Sequence, residues 1–420
     1  MTNRSAVTTI LLLLLLPAVT SLSRAEEFHL TLKKIRLTKK NEGVLPEKEL
    51  RPVRAFPGDA VTAEPSYRSK EVQRFLARFG EKGREITVAF AVDEKRGTGK
   101  GFDLLCADTA GRGNLKKGKK LSGKPERRSY SYTDTRFPPF TVSVPSGAGG
   151  DPLALPVRVR FSARRDLPSD SSIYLTPLAV MQGKVRLGAR DRTLVVFDAD
   201  CNGVFGEPAR LRRSTAEGDR IWIGKGNPPV EQAFMESLPL GRYYLFEGAY
   251  YTLSFSEGGT RVAVEKAEVP LGTLRLKNPG FLLELAGKEG VLYVQAEKEM
   301  QQEVPVPAGE YTLNRADFRR RYKGALWELQ GKAGTFRTRF EVKKDAVTEI
   351  EVGPPLRVVI RSRTRRAGNG LLASLSFTIG GSKGETYRYL LRNGKKVDLP
   401  EVVIKSPGGK VVRKGRFEYG

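Results

Sequence analysis

Histidine is almost absent: among 420 residues there is one, His29. A Ser-His-Asp or Cys-His catalytic pair would have to use it, and a zinc centre of histidines and cysteines lacks its ligands. His29 sits in an alternating stretch near residue 28, where an ordinary strand residue is the expected role. Cysteine is nearly as scarce. Cys106 and Cys201 do not make a disulfide framework, and both a single bridge and two free thiols stay open. No phosphate-binding loop is complete, because Gly97-Thr98-Gly99-Lys100-Gly101 has neither the full G-x-x-x-x-G-K-[ST] spacing nor a helix after it. Beyond the first 25 residues no apolar run approaches the ~18 residues of a membrane span. Long amphipathic helical stripes are missing as well.

The first 25 residues differ from the rest. Arg4 precedes an apolar run with six consecutive leucines, and Ser23-Arg24-Ala25 places small residues just before Glu26. That is the pattern of a secretory signal peptide, with an apolar core too short to cross ~30 Å of hydrocarbon. It predicts a mature protein that is secreted or held in the periplasm or cell envelope.

Positive charge is the dominant excess. Lys and Arg number 73 against 47 Asp and Glu, a formal charge of +26, which falls to +24 once Arg4 and Arg24 leave with the leader. A field of that sign draws anionic partners. Anionic polysaccharide or other envelope components are expected, and nucleic acid is not. Eight basic residues against one acid lie within 112–128. There Lys116, Lys117, Lys119 and Lys120, joined by Tyr130 and Tyr132, are candidates for gripping an anionic ligand by charge and ring contact. A solvated loop is the competing reading. A second excess, fifteen to four, covers 353–420, where Arg361, Arg363 and Arg365 alternate along an expected strand and could guard an exposed edge.

Short apolar alternations about ten residues apart, split by Gly and Pro, are the mark of sandwiches and barrels. The chain therefore reads as all-β, several β-sandwich domains in tandem with little helix. Punctuation suggests a leader (1–25), an N-terminal β region (26–152), a central β region (153–267), a further sandwich (268–353) and a C-terminal β domain after Pro354-Pro355 (354–420). A small repeat, Pro239-Leu-Gly241-Arg-Tyr243 and Pro307-Ala-Gly309-Glu-Tyr311, predicts a turn followed by a strand that starts on tyrosine.

Metal-ligand chemistry appears at one place. In residues 198–209, DADCNGVFGEPA, Asp198, Asp200, Asn202 and Gly203 match positions one, three, five and six of a calcium loop. The closing Glu of position twelve is Ala209, with Glu207 two places early and Asp219 a possible remote ligand. Calcium is thus the one cofactor in view, against an unmetallated Asx turn. Arg210, Arg212 and Arg213 set three cations nearby. An upstream copy aligns Asp108 with Asp198, Gly113 with Gly203 and Leu115 with Phe205, but has Ala110 and Arg112 at positions three and five. That copy is not expected to bind calcium, and Arg112 is placed to cancel the Asp108 charge.

The segments GTGKGFDLLCADTAGRGNL, VVFDADCNGVFGEP with GDRIWI, VPVPAGEYTL, IEVGPPL and GKVVRKGRFEYG resemble those of a group of uncharacterised secreted bacterial β-proteins. Members of that group carry dockerin-like Asp/Asn/Gly loops and a carboxypeptidase-regulatory-like (transthyretin-like) module. The resemblance implies such a module, read at 268–353, and transfers no activity; the short strands of 354–420 are read as an Ig-like domain. The expected function is a non-enzymatic structural or binding protein outside the cytoplasm, engaging anionic glycan. The alternative is a secreted carbohydrate-active hydrolase whose carboxylate pair the sequence does not locate.

Overall fold

A computed structural model describes residues 25–417 apart from 39, 99–100, 129–131, 146–150, 165–169, 213–214, 279, 296–301, 368–369 and 399. The expected leader, save for Ala25, lies outside the described residues, as do Tyr130 and Arg213. The described chain is all-β, with a single α-helix, Val230–Glu236. No described helix is long and apolar enough to cross a membrane.

Burial at every second residue produces the strands. In Gln73–Phe79 the residues Gln73, Phe75, Ala77 and Phe79 are all buried. A period of two cannot line one side of a helix, so these residues form a strand. That strand pairs antiparallel with Ile86–Asp93, which continues through Leu104–Ala107 to Lys119–Ser122. The four-stranded sheet faces a six-stranded one centred on Leu153–Arg164, whose Leu155, Val157, Val159, Phe161 and Ala163 point inward. Phe161 joins the two sheets through edge contacts with Phe75 at 6.2 Å between ring centroids. On the other face of the same strand Arg160 binds Glu47 (2.7 Å) and Asp134 (3.2 Å) and lies over Tyr174.

A five-stranded sheet comprises Thr31–Lys34, Ala179–Leu187, Arg190–Phe197, Arg220–Gly224 and Leu238–Pro239. Its Val185, Leu187, Leu194 and Val196 share one core with Tyr251, Leu253, Val262 and Val264 of a long, thirteen-stranded sheet. Further along, the long sheet packs Leu283, Leu285, Leu292 and Leu313 against Leu274, Leu276, Val304 and Val306 of a three-stranded sheet, forming a second core.

Pairing joins segments on both sides of each expected boundary within the mature chain. Leu153–Arg164 bonds to Phe140–Val144 and Tyr132–Arg136, the long sheet passes 267 through the parallel contact of Tyr244 with Tyr293, and Ala325–Gly331 pairs with Thr386–Arg392. The first described strands belong to the second layer pair, since Glu26–His29 pairs with Arg261–Lys266 and Thr31–Lys34 with Ala179–Leu187. Glycine and proline mark where a chain turns, and they carry no information about which sheet it joins next.

The tyrosine turns form as hydrogen-bonded corners. Tyr311 donates its hydroxyl to Pro307 O at 3.0 Å, and in the first copy the donor to Pro239 O is Tyr244, one residue after Tyr243. The shared feature is a tyrosine that ties its strand back to the preceding proline carbonyl.

Candidate metal centre

The ladder that pairs Phe197 with Arg220 sets Asp198 and Asp219, each one step beyond it, side by side. Asp198, Asp200 and Asp219 each offer a carboxylate oxygen within 4.8 Å of the others. Oxygens on opposite sides of a calcium ion with bonds of ~2.4 Å are ~4.8 Å apart, so the three fit one coordination sphere. Asp219 immediately precedes the neighbouring strand Arg220–Gly224 and supplies the third acid, while Ala209, at the closing position of the loop, is buried.

Backbone amides fix the carboxylates from behind. Asp198 accepts from Asn202 N (3.0 Å) and Gly203 N (2.8 Å). Asp219 accepts from Gly206 N (2.7 Å), Glu207 N (3.0 Å) and Ala199 N (3.2 Å). Each carboxylate has about four lone-pair sites, so both keep capacity facing the centre. Asn202 Nδ2 donates to Asp200 (3.2 Å) and to Glu207, while its Oδ1 accepts from Val204 N (2.8 Å). Asn202 thus links Asp200 and Glu207 and draws a fourth acid to the cluster. The Oδ1 of Asp200 is buried with no donor in bonding geometry, although the Asp198 carboxyl lies beside the Asp200 carboxylate.

The electrostatics agree with that geometry. Asp198 is 1 % and Asp219 0 % exposed. Burial, then the Asp200 charge, pushes the Asp198 carboxyl well above the usual range against the pull of the Gly203 and Asn202 amides. Burial, then Asp198, does the same to Asp219, and burial raises Glu207. None of these four acids forms an ion pair among the described residues. Arg210 and Arg212 are exposed on the hairpin strand Arg210–Arg212, where Arg212 reaches Glu217 at 3.5 Å. A buried set of hard, mutually repelling oxygen donors is stabilised by protons or by a hard divalent cation.

The loop lies at a seam. Asn202 O accepts from Gly80 N (2.8 Å) and Cys201 Sγ donates to Leu175 O (3.4 Å), both in the first sheet pair. At Gly203 the φ is +80° and a Cβ would stand 2.8 Å from Val144, so only glycine suits the site. From the other side Gly206 lies against Phe255 of the long sheet. Cys106 and Cys201 are both buried free thiols.

The upstream copy shares the turn and lacks the acids. Gly113 N donates to Asp108 at 2.6 Å, the counterpart of the Gly203 bond, and Gly113 also has positive φ. Arg112 is exposed and makes no pair with Asp108, so the expected charge cancellation does not occur; the single carboxylate is satisfied by the loop amide instead. Ser143 N binds Thr109 O and Val144 meets Gly203, so the two loops flank one strand, Phe140–Val144.

The other candidates stand apart from this centre. Lys116, Lys117, Lys119 and Lys120 are all exposed. Lys119 and Lys120 occupy consecutive positions of Lys119–Ser122 and therefore opposite faces. His29 is an exposed strand residue. Arg361, Arg363 and Arg365 share one face of Arg357–Ala367, the last strand of the long sheet. Glu207 is the member of the cluster that spacing alone missed; its only signal was an acid two positions before the closing site. Against family models, curated proteins and solved structures, the chain has no match in any of the three comparisons.

Proposed function

We propose that this chain is an exported, non-enzymatic structural and binding protein of the envelope or extracellular space, built of Ig-like and transthyretin-like sandwiches and pinned by calcium at the seam between sheet pairs. Asp198, Asp200 and Asp219 hold the ion, with Asn202 as a loop ligand or as the clamp that presents Asp200. The observation that carries the calcium reading is the buried Asp200 Oδ1, with no donor in bonding geometry, among converging, amide-anchored carboxylates. Its place between Gly80 and Val144 on one side and Phe255 on the other supports a structural role. A glycosidase pair needs room for a sugar and water between its carboxyl groups. These acids are packed into loop backbone, which favours the non-enzymatic reading at this centre.

The exposed lysines at 116, 117, 119 and 120 supply the anionic-glycan contact, with the polymer crossing the edge strand Lys119–Ser122 so that it meets both faces. Two measurements test the proposal. Calcium should raise the unfolding midpoint of the full mature chain at millimolar concentration, and an unchanged midpoint would leave only the Asx turn. Retention on a heparin or polyuronate column should fall with salt and fall further when the four lysines become glutamine; equal retention of the variant would remove them from the glycan site.

A further inference from the structure

A second feature of the fold adjoins the candidate metal centre, beginning at Arg220, the residue after Asp219. A cavity of about 490 Å³ lies between Arg220–Gly224 with the helix Val230–Glu236 on one side and the long-sheet strands Gly290–Gln295 and Gly309–Tyr322 on the other. Its size is that of a small-molecule site. Most charges around it are spent on one another. Arg315 grips Asp317 with two bonds, Nε at 2.9 Å and Nη2 at 2.6 Å, and Gly331 N adds a third at 2.8 Å. Arg319 holds Glu328 at 2.9 Å, and Glu236 accepts from Trp222.

Three groups on the wall are left. Arg220 donates from Nε to Ser237 Oγ (2.9 Å) and from Nη2 to Ser237 O, rests over the Phe234 ring, and forms no ion pair among the described residues. Glu284, 5 % exposed, accepts from Asn314 Nδ2 and also forms no ion pair among them. Tyr293, 7 % exposed, has a buried hydroxyl with no partner in bonding geometry, although the Glu284 carboxylate lies beside it. Tyr293 thus shares the wall with a half-buried cation, Arg220, and a buried anion, Glu284. Burial raises the Glu284 carboxyl above its ordinary value, against the pull of its Asn314 bond.

A half-buried guanidinium and a buried carboxylate that line one cavity with no ion pair between them are complementary to a ligand bearing both charges. We propose that this cavity binds a small zwitterion, a free amino acid or short peptide, with its carboxylate on Arg220 and the Tyr293 hydroxyl and its ammonium on Glu284. Bond formation is non-covalent and reversible, and no chemistry follows from it.

The test is calorimetric titration of the full mature protein with the twenty free amino acids and a set of dipeptides, beside their N-acetyl and carboxamide forms. At least one free zwitterion should bind, and masking either its amine or its carboxylate should weaken it tenfold or more. Glu284→Gln should abolish the penalty for N-acetylation. Tyr293→Phe, which deletes one hydroxyl from a packed ring, should weaken binding several-fold while the far-UV spectrum and melting midpoint stay at wild-type values. Absence of binding throughout the panel, equal binding of the masked forms, or full affinity in folded Glu284→Gln and Tyr293→Phe proteins would each overturn the assignment.

Discussion

Replacing Asp200 by Asn should reverse its effect on stability according to whether calcium is present. The substitution keeps size and an acceptor for Asn202 but removes one negative charge from three carboxylates whose oxygens lie within 4.8 Å. At that spacing and an effective dielectric of 20, two full charges repel by about 3.5 kcal/mol. The cluster takes up protons to relieve part of this, as the raised Asp198 and Asp219 show. A net relief of about 1–2 kcal/mol is therefore expected in chelator, where the variant should be the more stable protein. In calcium the order inverts. Wild type gains about 2.7 kcal/mol at a concentration one hundred times its dissociation constant, and the variant, with one negative charge fewer to offer the cation, gains less. Thermal unfolding followed by tryptophan fluorescence is suited to the comparison, because Trp222 lies on the strand that begins next to Asp219. If Asp200→Asn lowers the midpoint equally in chelator and in calcium, the carboxylate is only a turn-forming group and the repulsion argument is wrong.

Other consequences follow from the same structure. Phe161→Ala empties a core site that is 1 % exposed and in ring contact with Phe75 and Phe102, and should cost about 3–5 kcal/mol in urea unfolding; a loss under 1 kcal/mol would mean the two sheets do not pack through it. Tyr311→Phe removes the hydroxyl bond to Pro307 O and should cost about 1 kcal/mol, measurable as a shifted denaturant midpoint at unchanged slope. Glu284 has a folded-state pKa raised chiefly by burial. Its ionisation therefore costs nothing below the unfolded value of ~4.3 and opposes folding as pH rises through the folded value. Glu284→Gln should accordingly be more stable than wild type at pH 8 and equal to it at pH 4, and a difference of the same size at both pH values would assign the effect to packing.

The sequence by itself determined the fold class, because alternation of apolar residues is a local property: Phe75, Ala77 and Phe79 face inward for the same reason that their spacing reads as a strand. It also determined the turns at Gly113 and Gly203, where positive φ leaves glycine as the fitting residue. Three of the four acids of the candidate centre were legible, two from loop spacing and Asp219 as a remote partner. The tertiary structure alone decided the rest. Residues 26–34 return to pair with strands more than a hundred residues away, Glu207 enters the cluster through Asn202, and Arg220, Tyr293 and Glu284 meet around one cavity. Local patterns specify which way a side chain faces, whereas the partner it faces is chosen by the sum of contacts across the whole core, and no short stretch of sequence carries that sum.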